Sequence, residues 1–162
     1  MAGSGDSAGR GEFTDLKPQN LRERALRLLA RREHSRAELA RKLQEHTRAK
    51  DDLEALLEDL SQHKLLSDER YAESRAHTLS RKYGAARIVH ELRAKGVDKG
   101  LADKASKTAR ATELERAREV WRRKFRSAPK TREERARQMR FLQSRGFSFN
   151  AIRAVVTGAD ED

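Results

Sequence analysis

Two stretches decide the fold, HELRAKGVDK at residues 90–99 and RFLQSRGFSFN at residues 140–150. In each, a Leu is followed by three residues that include basic ones, then by Gly, an apolar residue and a polar residue able to cap a helix. Leu92 and Gly96 correspond to Leu142 and Gly146 at a constant spacing of 50 residues. Such an ending is typical of a helix that stops at a left-handed Gly, so the chain repeats one turn between two helices.

Helical periodicity extends over the rest of the chain. Apolar residues recur at helical spacing, as in Leu53, Leu57 and Leu60, and no segment keeps the alternation of a strand. These stripes predict nine helices in three groups of three, and a repeat near 50 residues is typical of a stacked helical array. We therefore predict an all-α protein of three tandem, helix-turn-helix-like units. Because such a small unit buries its apolar face poorly alone, we expect neighbouring units to share their cores.

The stripes and their breaks also predict the boundaries of the units. The first unit covers 18–66, the second 67–110 and the third 111–157, between a disordered Gly/Ser-rich tail at 1–17 and an acidic tail at 158–162. Ser, Thr and Asp residues at the predicted helix starts are expected to cap them. These capping residues are Ser35, Asp51, Ser67, Asp98, Thr112, Thr131 and Ser148.

Composition argues against a single thick core. Of the 162 residues, 36% are hydrophobic and 39% charged, against about 45–50% and 25% in an average soluble domain. This balance favours an elongated protein with several small cores. The net charge of +11 favours an anionic partner such as nucleic acid, a nucleoprotein or an acidic protein face.

Several classes of function lack a sequence signal. No apolar run is long enough to span a bilayer, and the N-terminus has no secretory h-region. The absence of Cys fits a reducing cytosol, so we predict a cytoplasmic protein that binds no membrane. The five His residues have no metal-ligand spacing, and neither a nucleophile elbow nor a phosphate-binding Gly loop occurs. We predict no enzyme activity, no metal and no cofactor.

Basic residues are unevenly distributed. Residues 21–68 carry a net charge of +1, residues 69–110 +6 and residues 111–147 +7. The densest point is WRRKFR at 121–126, where Trp121 and Phe125 lie one turn apart. These rings could stack on nucleic-acid bases, but their position on the apolar stripe favours the core. The positive potential therefore belongs to the second and third units.

A groove-reading helix-turn-helix protein is the rival interpretation. Its recognition helices would be the last helices of the units. The first of these, at 51–62, carries Asp52, Glu54 and Glu58, which would repel phosphates, and the last has a single Arg, Arg153. Duplex reading by these helices is therefore disfavoured.

Three longer segments resemble the RecX family of bacterial regulators of the RecA recombinase. They are LLSDERYAES (65–74), KYGAARIVHELRAKGV (82–97) and RFLQSRGFS (140–148), and the resemblance runs from about Leu21 to Val156. The residues that carry it are Leu66, Asp68, Arg70, Tyr71, Ala72, Gly84, Ile88, Glu91, Leu92, Lys95, Gly96, Val97, Phe141, Leu142, Arg145, Gly146 and Phe147. Two departures are Lys64, where the family often has Gly, and the segment QEHTRAKDD (44–52), which lacks the family's Gly turn.

The resemblance implies a curved, elongated array without enzyme activity. It implies binding in the groove of the RecA nucleoprotein filament, which limits filament growth, ATP hydrolysis, strand exchange and cleavage of the SOS repressor. It also implies direct binding of single- or double-stranded DNA, as in some members. We expect a monomer.

The expected contacts are basic residues of the second and third units, and the family's apolar and Gly positions are expected to be scaffold. The predicted contact residues are Arg81, Lys82, Arg87, Arg93, Lys95, Arg122, Arg123, Lys124, Arg126, Arg132, Arg135 and Arg140. The alternative is a general basic DNA-binding protein that competes with RecA for single-stranded DNA.

Overall fold

The computed structural model describes residues 15–158, and within that range it contains ten α-helices and no strand. The helices are α1 (Pro18–Arg31), α2 (Arg36–Gln44), α3 (Lys50–Gln62), α4 (Asp68–Leu79), α5 (Ala85–Ala94), α6 (Lys99–Ala105), α7 (Lys107–Ala111), α8 (Glu113–Lys124), α9 (Arg132–Ser144) and α10 (Phe149–Gly158). The predicted all-α class is confirmed. Most of the predicted tails, residues 1–14 and 159–162, lies outside the described residues.

The second unit has one helix more than predicted. Its last helix is interrupted at Ser106, which is buried and whose hydroxyl donates to the carbonyl of Asp103 at 3.0 Å. Ser106 thereby ends α6, and its own carbonyl accepts from Arg110 N–H in the next turn. The prediction of nine helices was therefore wrong. The Ser106 side chain bonds to the helix backbone, and the helix is interrupted there, which gives α6 and α7.

Five of the seven predicted caps form. The side-chain oxygens of Ser35, Ser67, Asp98, Thr131 and Ser148 each accept the backbone N–H three residues later. Two predictions were wrong. Helix α3 begins one residue before Asp51, after Ala49, and the hydroxyl of Thr112 donates to the Thr108 carbonyl instead of capping α8.

Each unit has a core of its own. Buried side chains form three separate clusters, around Leu39 and Leu57 in α1–α3, Ile88 in α4–α7, and Leu142 and Ile152 in α8–α10. The expectation that neighbouring units share their cores was therefore wrong for the part of the chain that the structure describes. The buried residues at the centres are Leu, Ile and Val, which fill a small core without a polar atom.

The units are joined instead by the repeated Gly turns. Gly96 and Gly146 both have φ +83°, a conformation that costs an L-residue about 1–2 kcal/mol. In the first seam, between units one and two, the Ser35 hydroxyl donates to the Lys95 carbonyl at 2.7 Å. In the second seam, between units two and three, the Gly84 N–H donates to the Arg145 carbonyl at 2.8 Å. Each Gly turn thus docks on the start of the middle helix of the preceding unit.

Close approach at both seams leaves no room for a side chain. A Cβ on Gly96 would overlap Ala37 of α2, and a Cβ on Gly146 would overlap Arg87 of α5. Gly84 has an ordinary φ of −75°, yet a Cβ there would overlap the carbonyl of Gly146. The second seam therefore needs Gly on both of its sides.

The turn of unit one has no Gly, and residues 15–16 contact it. Leu16 N–H donates to the His46 carbonyl at 2.9 Å, and the Asp15 carboxylate accepts from Arg48 N–H at 2.7 Å. Leu16 also packs on the first core. The departure from the family at 44–52 thus falls at the turn that residues 15–16 contact.

Replacing Gly84 with Ala tests the second seam. We expect Gly84→Ala to lower the free energy of unfolding by about 1–3 kcal/mol, because an added methyl group must push the two units apart. Chemical denaturation followed by circular dichroism measures the change. Gly158→Ala is the matched control, since a Cβ there meets nothing within 4 Å. Equal stability of the two variants would contradict the close approach.

Candidate anion-binding cleft

An open cleft lies at the second seam. Its volume is about 300 Å³, and its walls are the segment after α4, the C-terminal half of α8 and the end of α9. The lining residues are Arg81, Lys82, Val120, Arg123, Lys124, Phe141 and Arg145. Arg81 and Lys82 follow the end of α4, Lys124 is the last residue of α8, and Arg145 follows α9. Clefts between packed units are common ligand sites.

Three helix C-termini therefore meet at this cleft. A helix C-terminus carries a partial negative charge, and a cation beside it is stabilised by about 0.3–1 kcal/mol. The C-termini of α4, α8 and α9 offset part of the repulsion among five neighbouring cations. The local fold thus explains why the sequence tolerates so much positive charge in one place.

Aromatic rings hold two of the cleft cations. The Arg145 guanidinium lies 5.1 Å from the ring centre of Phe141 and 5.8 Å from that of Tyr83. The Lys124 ammonium lies 5.6 Å from the Phe141 ring centre. A cation–π contact positions a cation without neutralising it, so both groups keep their N–H donors for an anion.

Acidic partners are absent around the five cleft cations. Within residues 15–158, none of Arg81, Lys82, Arg123, Lys124 and Arg145 forms an ion pair, and no Asp or Glu lines the cleft. An unpaired cluster of cations attracts anions strongly, because no carboxylate in the described part of the chain competes for its donors.

The cleft at the first seam carries a smaller excess of positive charge. It is about 240 Å³ and is lined by Arg32, Glu33, Glu38, Tyr71, Arg75 and Lys95. Glu38 is buried and accepts from Arg32, and the Glu33 carboxylate pairs with Arg70 at 2.9 Å. Two carboxylates thus offset part of the charge of three cations here, whereas no carboxylate lines the second-seam cleft.

Four of the twelve predicted contact residues come together in the second-seam cleft: Arg81, Lys82, Arg123 and Lys124. Two others bind groups within the fold: Arg87 pairs with Glu91 at 3.3 Å and donates to the Ser144 carbonyl at 3.2 Å, and Arg93 donates to the Val97 carbonyl at 3.4 Å. Lys95 lines the first-seam cleft instead.

The remaining predicted residues lie on the surface of the third unit. Arg135 donates to the Thr157 hydroxyl at 3.0 Å. Arg122, Arg126, Arg132 and Arg140 are exposed.

Trp121 and Phe125 face the protein, as their stripe predicts. Trp121 is half-buried against the third core, and its indole N–H donates to Gln138 at 2.8 Å. Phe125 follows the end of α8 and packs edge-on against Phe141, with ring centres 5.4 Å apart. Neither ring is free to stack on a base.

Two residues of interest were missed in the sequence. Arg145 is named in the sequence only as part of the family resemblance and not among the predicted contacts, although it directly precedes Gly146 at a helix end. Phe149, the first residue of α10, is 64% exposed. In the sequence, only its position between the polar residues Ser148 and Asn150, at the start of a helix, indicates that exposure.

Arg116 joins the second and third units behind the cleft. Its guanidinium donates to the carbonyls of Ser80, at 2.8 Å, and Tyr83, both in unit two. It also donates to the Ala109 carbonyl, and burial lowers its pKa from the usual value. These carbonyls belong to the end of α4 and to α7, so Arg116 fixes the turn that carries Arg81 and Lys82.

His34 is a buried titratable group beside Glu38. Its Nε2 lies 3.1 Å from the Lys42 ammonium and its Nδ1 lies 3.0 Å from the Arg32 carbonyl. Since an ammonium only donates and a carbonyl only accepts, the ring is neutral with its proton on Nδ1. Burial, together with the Arg32 and Lys42 cations, lowers the pKa of His34 despite the Glu38 carboxylate 3.8 Å away.

Within residues 15–158, no group of three or more His, Asp or Glu side chains is arranged to hold a metal ion. No helix in that range is both long and apolar enough to cross a membrane.

The fold and the cleft define a class: an all-helical protein of three tandem units that presents unpaired cations where two units meet. Family models describe such units, and three match in order: the first three-helix domain of RecX at 22–60, the second at 67–105 and the third at 111–156. The chain belongs to the RecX family.

Curated relatives and solved structures agree with this assignment. The chain is 48% identical over 147 residues to the regulatory protein RecX of Leptothrix cholodnii, covering 90% of this chain and 94% of that protein. It is 49% identical over 148 residues to that of Herbaspirillum seropedicae, covering 90% and 96%. The crystal structure of RecX from Lactobacillus salivarius superposes with a TM-score of 0.78 at 22% identity, covering 90% of this chain and 97% of that one.

Replacing Arg116 with Lys tests its role at the seam. One ammonium cannot reach three carbonyls in the geometry of a guanidinium, so we expect Arg116→Lys to lower the free energy of unfolding by about 1.5–3 kcal/mol. Arg118→Lys, at an exposed position two residues further on, should change stability by less than about 0.5 kcal/mol. Denaturant titration compares the two variants. Similar losses of stability would contradict the role of Arg116 in joining units two and three.

The state of His34 predicts a pH dependence of stability. Because its pKa is lower in the folded chain than its unfolded value of 6.5, its contribution is complete above pH 6.5 and declines as the pH falls below it. Thermal unfolding between about pH 7 and pH 5 should show this loss. His34→Gln should flatten the slope, and His90→Gln, at an exposed position, should keep it. An unchanged slope in His34→Gln would contradict the neutral buried ring.

Proposed function

We propose that this protein is a non-enzymatic inhibitor of RecA that binds the groove of the RecA–DNA filament. Membership of the RecX family supports a regulator of RecA in general. The finer proposal is that binding limits filament growth and so lowers ATP hydrolysis, strand exchange and SOS repressor cleavage. The protein would act in the cytoplasm as a monomer, without a cofactor.

One observation carries this proposal: the match to all three RecX domains coincides with a cluster of unpaired cations at the second seam. A nucleoprotein filament exposes phosphates and acidic side chains along its groove, and either would complement these cations. The absence of an ion pair at Arg81, Lys82, Arg123, Lys124 and Arg145 within residues 15–158 supports an external partner.

The alternative is a general DNA-binding protein that competes with RecA for single-stranded DNA. The same cluster of cations favours it, because phosphate contacts alone give sequence-independent affinity. The two functions differ in their target, which is the assembled filament in one case and bare DNA in the other.

RecA's ATP hydrolysis on single-stranded DNA distinguishes the two functions. We expect inhibition when this protein is present at well below one molecule per RecA, because blocking growth at few sites affects many subunits. A gel shift on the bare DNA in the same buffer is the control. Inhibition that begins only where bare DNA is also shifted would contradict filament binding and support competition.

A further inference from the structure

We propose that the second-seam cleft binds consecutive phosphate groups of a single nucleic-acid strand. This inference rests on the proposed function in one respect: it assigns the DNA of the nucleoprotein, and not its protein, to this cleft. The cleft is defined by Arg81, Lys82, Arg123, Lys124 and Arg145, with Val120 and Phe141 as its floor.

The charge of the cleft demands more than one negative group. Five cations line about 300 Å³ and no carboxylate does. Three of the five are guanidinium groups, whose planar forks match phosphate oxygens with paired N–H donors. A single acidic side chain would leave most of these donors unmatched. A strand backbone repeats its charge at every nucleotide and can match several of them.

The first seam provides an internal comparison. It is built from the same turn and has a cleft of similar size, yet two carboxylates, Glu33 and Glu38, face its three cations, and Glu38 pairs with Arg32. Docking of two units therefore does not require five cations without a carboxylate. The unpaired charge at the second seam needs a separate explanation, and an anionic ligand provides it.

Two of the cleft cations are positioned before any ligand binds, which favours a specific site over a diffuse positively charged surface. Arg145 lies beside the rings of both Tyr83 and Phe141, and Lys124 also lies beside Phe141. Ordering a long cationic side chain costs free energy on binding, and here much of that ordering precedes the ligand. Exposed cations such as Arg122 and Arg126 have no ring beside them in the described residues.

An exposed aromatic ring favours a single strand over a duplex or an acidic peptide. Phe149 is 64% exposed and lies four residues after Arg145, hence within about 14 Å of it along the chain. Unpaired bases stack on such rings, while paired bases have no free face. The ring of Phe141 already faces two cations, so bases would lie outside the cleft and phosphates within it.

Fluorescence anisotropy with a labelled short oligothymidylate tests the cleft. The cleft variant is Arg123→Gln/Lys124→Gln, and Arg122→Gln/Arg126→Gln is a control with the same charge loss in the same segment. We expect the cleft variant to lose at least tenfold more affinity than the control. Its salt dependence between about 50 and 200 mM should fall by about 1.4 in slope, for two phosphate contacts. All four positions are exposed, and circular dichroism checks that both variants fold. Equal losses would overturn the cleft as a site.

Two further arms identify the chemistry of the ligand. Pyrophosphate should compete with the strand for the wild-type protein and lose that effect in the cleft variant. Oligoglutamate at the same charge concentration should compete at least tenfold less. Stronger competition by oligoglutamate would overturn the phosphate assignment in favour of an acidic protein segment. Phe149→Ala should weaken strand binding several-fold and leave pyrophosphate binding unchanged, and an unchanged strand affinity would overturn the single-strand assignment.

The RecA assay separates failure of this inference from failure of the proposed function. If the wild-type protein inhibits RecA while the cleft variant binds the strand normally, the cleft inference is overturned and the function stands. If the cleft variant loses strand binding while the wild-type protein leaves RecA unaffected at every ratio, the cleft stands and the function is overturned.

Discussion

The left-handed Gly at the end of the middle helix in units two and three is the constraint on which the rest of the structure depends. Gly96 and Gly146 turn the chain with φ +83° and at the same time present a bare backbone to the preceding unit. The carbonyl just before each Gly accepts one hydrogen bond from that unit, from Ser35 or from Gly84. Since the three cores are separate, these turns and the polar contacts around them determine how the units are oriented.

The two seams share this Gly turn but differ in how the charged side chains around it are paired. At the first seam, Arg32 pairs with the buried Glu38, Arg70 pairs with Glu33, and the buried His34 lies 3.8 Å from Glu38. At the second, Arg116 of α8 donates to carbonyls after α4, and the Glu113 carboxylate accepts from Ala85 N–H at 3.0 Å, so both side chains bind backbone groups and not the cleft cations. Within residues 15–158 those cations have no acidic partner and lie beside aromatic rings and the ends of three helices. Binding capacity at the second seam thus follows from how that seam is stabilised.

Much of this fold can be predicted from residue patterns. The spacing of Leu92–Gly96 and Leu142–Gly146 predicts the repeat, and five of seven caps follow from Ser, Thr and Asp positions. The separate cores, the break at Ser106 and the role of Arg145 could not be predicted in the same way. They depend on pairs far apart in the chain, such as Ser35 with Lys95 and Gly84 with Arg145, and on backbone carbonyls, which every residue carries. The same dependence on distant pairs places four predicted contact residues together in the cleft, whereas Arg87 and Arg93 bind groups within the fold and Lys95 lines the first-seam cleft.

The Gly turn holds units two and three in one orientation, and a distance measured between the two units tests this. The chain has no Cys, so spin labels on His90→Cys and Arg137→Cys, both at exposed positions, would report one distance by electron–electron double resonance. We expect a single narrow distribution in the otherwise native chain and a broad or shifted one when Gly84→Ala is added. A broad distribution in both chains would contradict a fixed seam, and with it a preformed cleft.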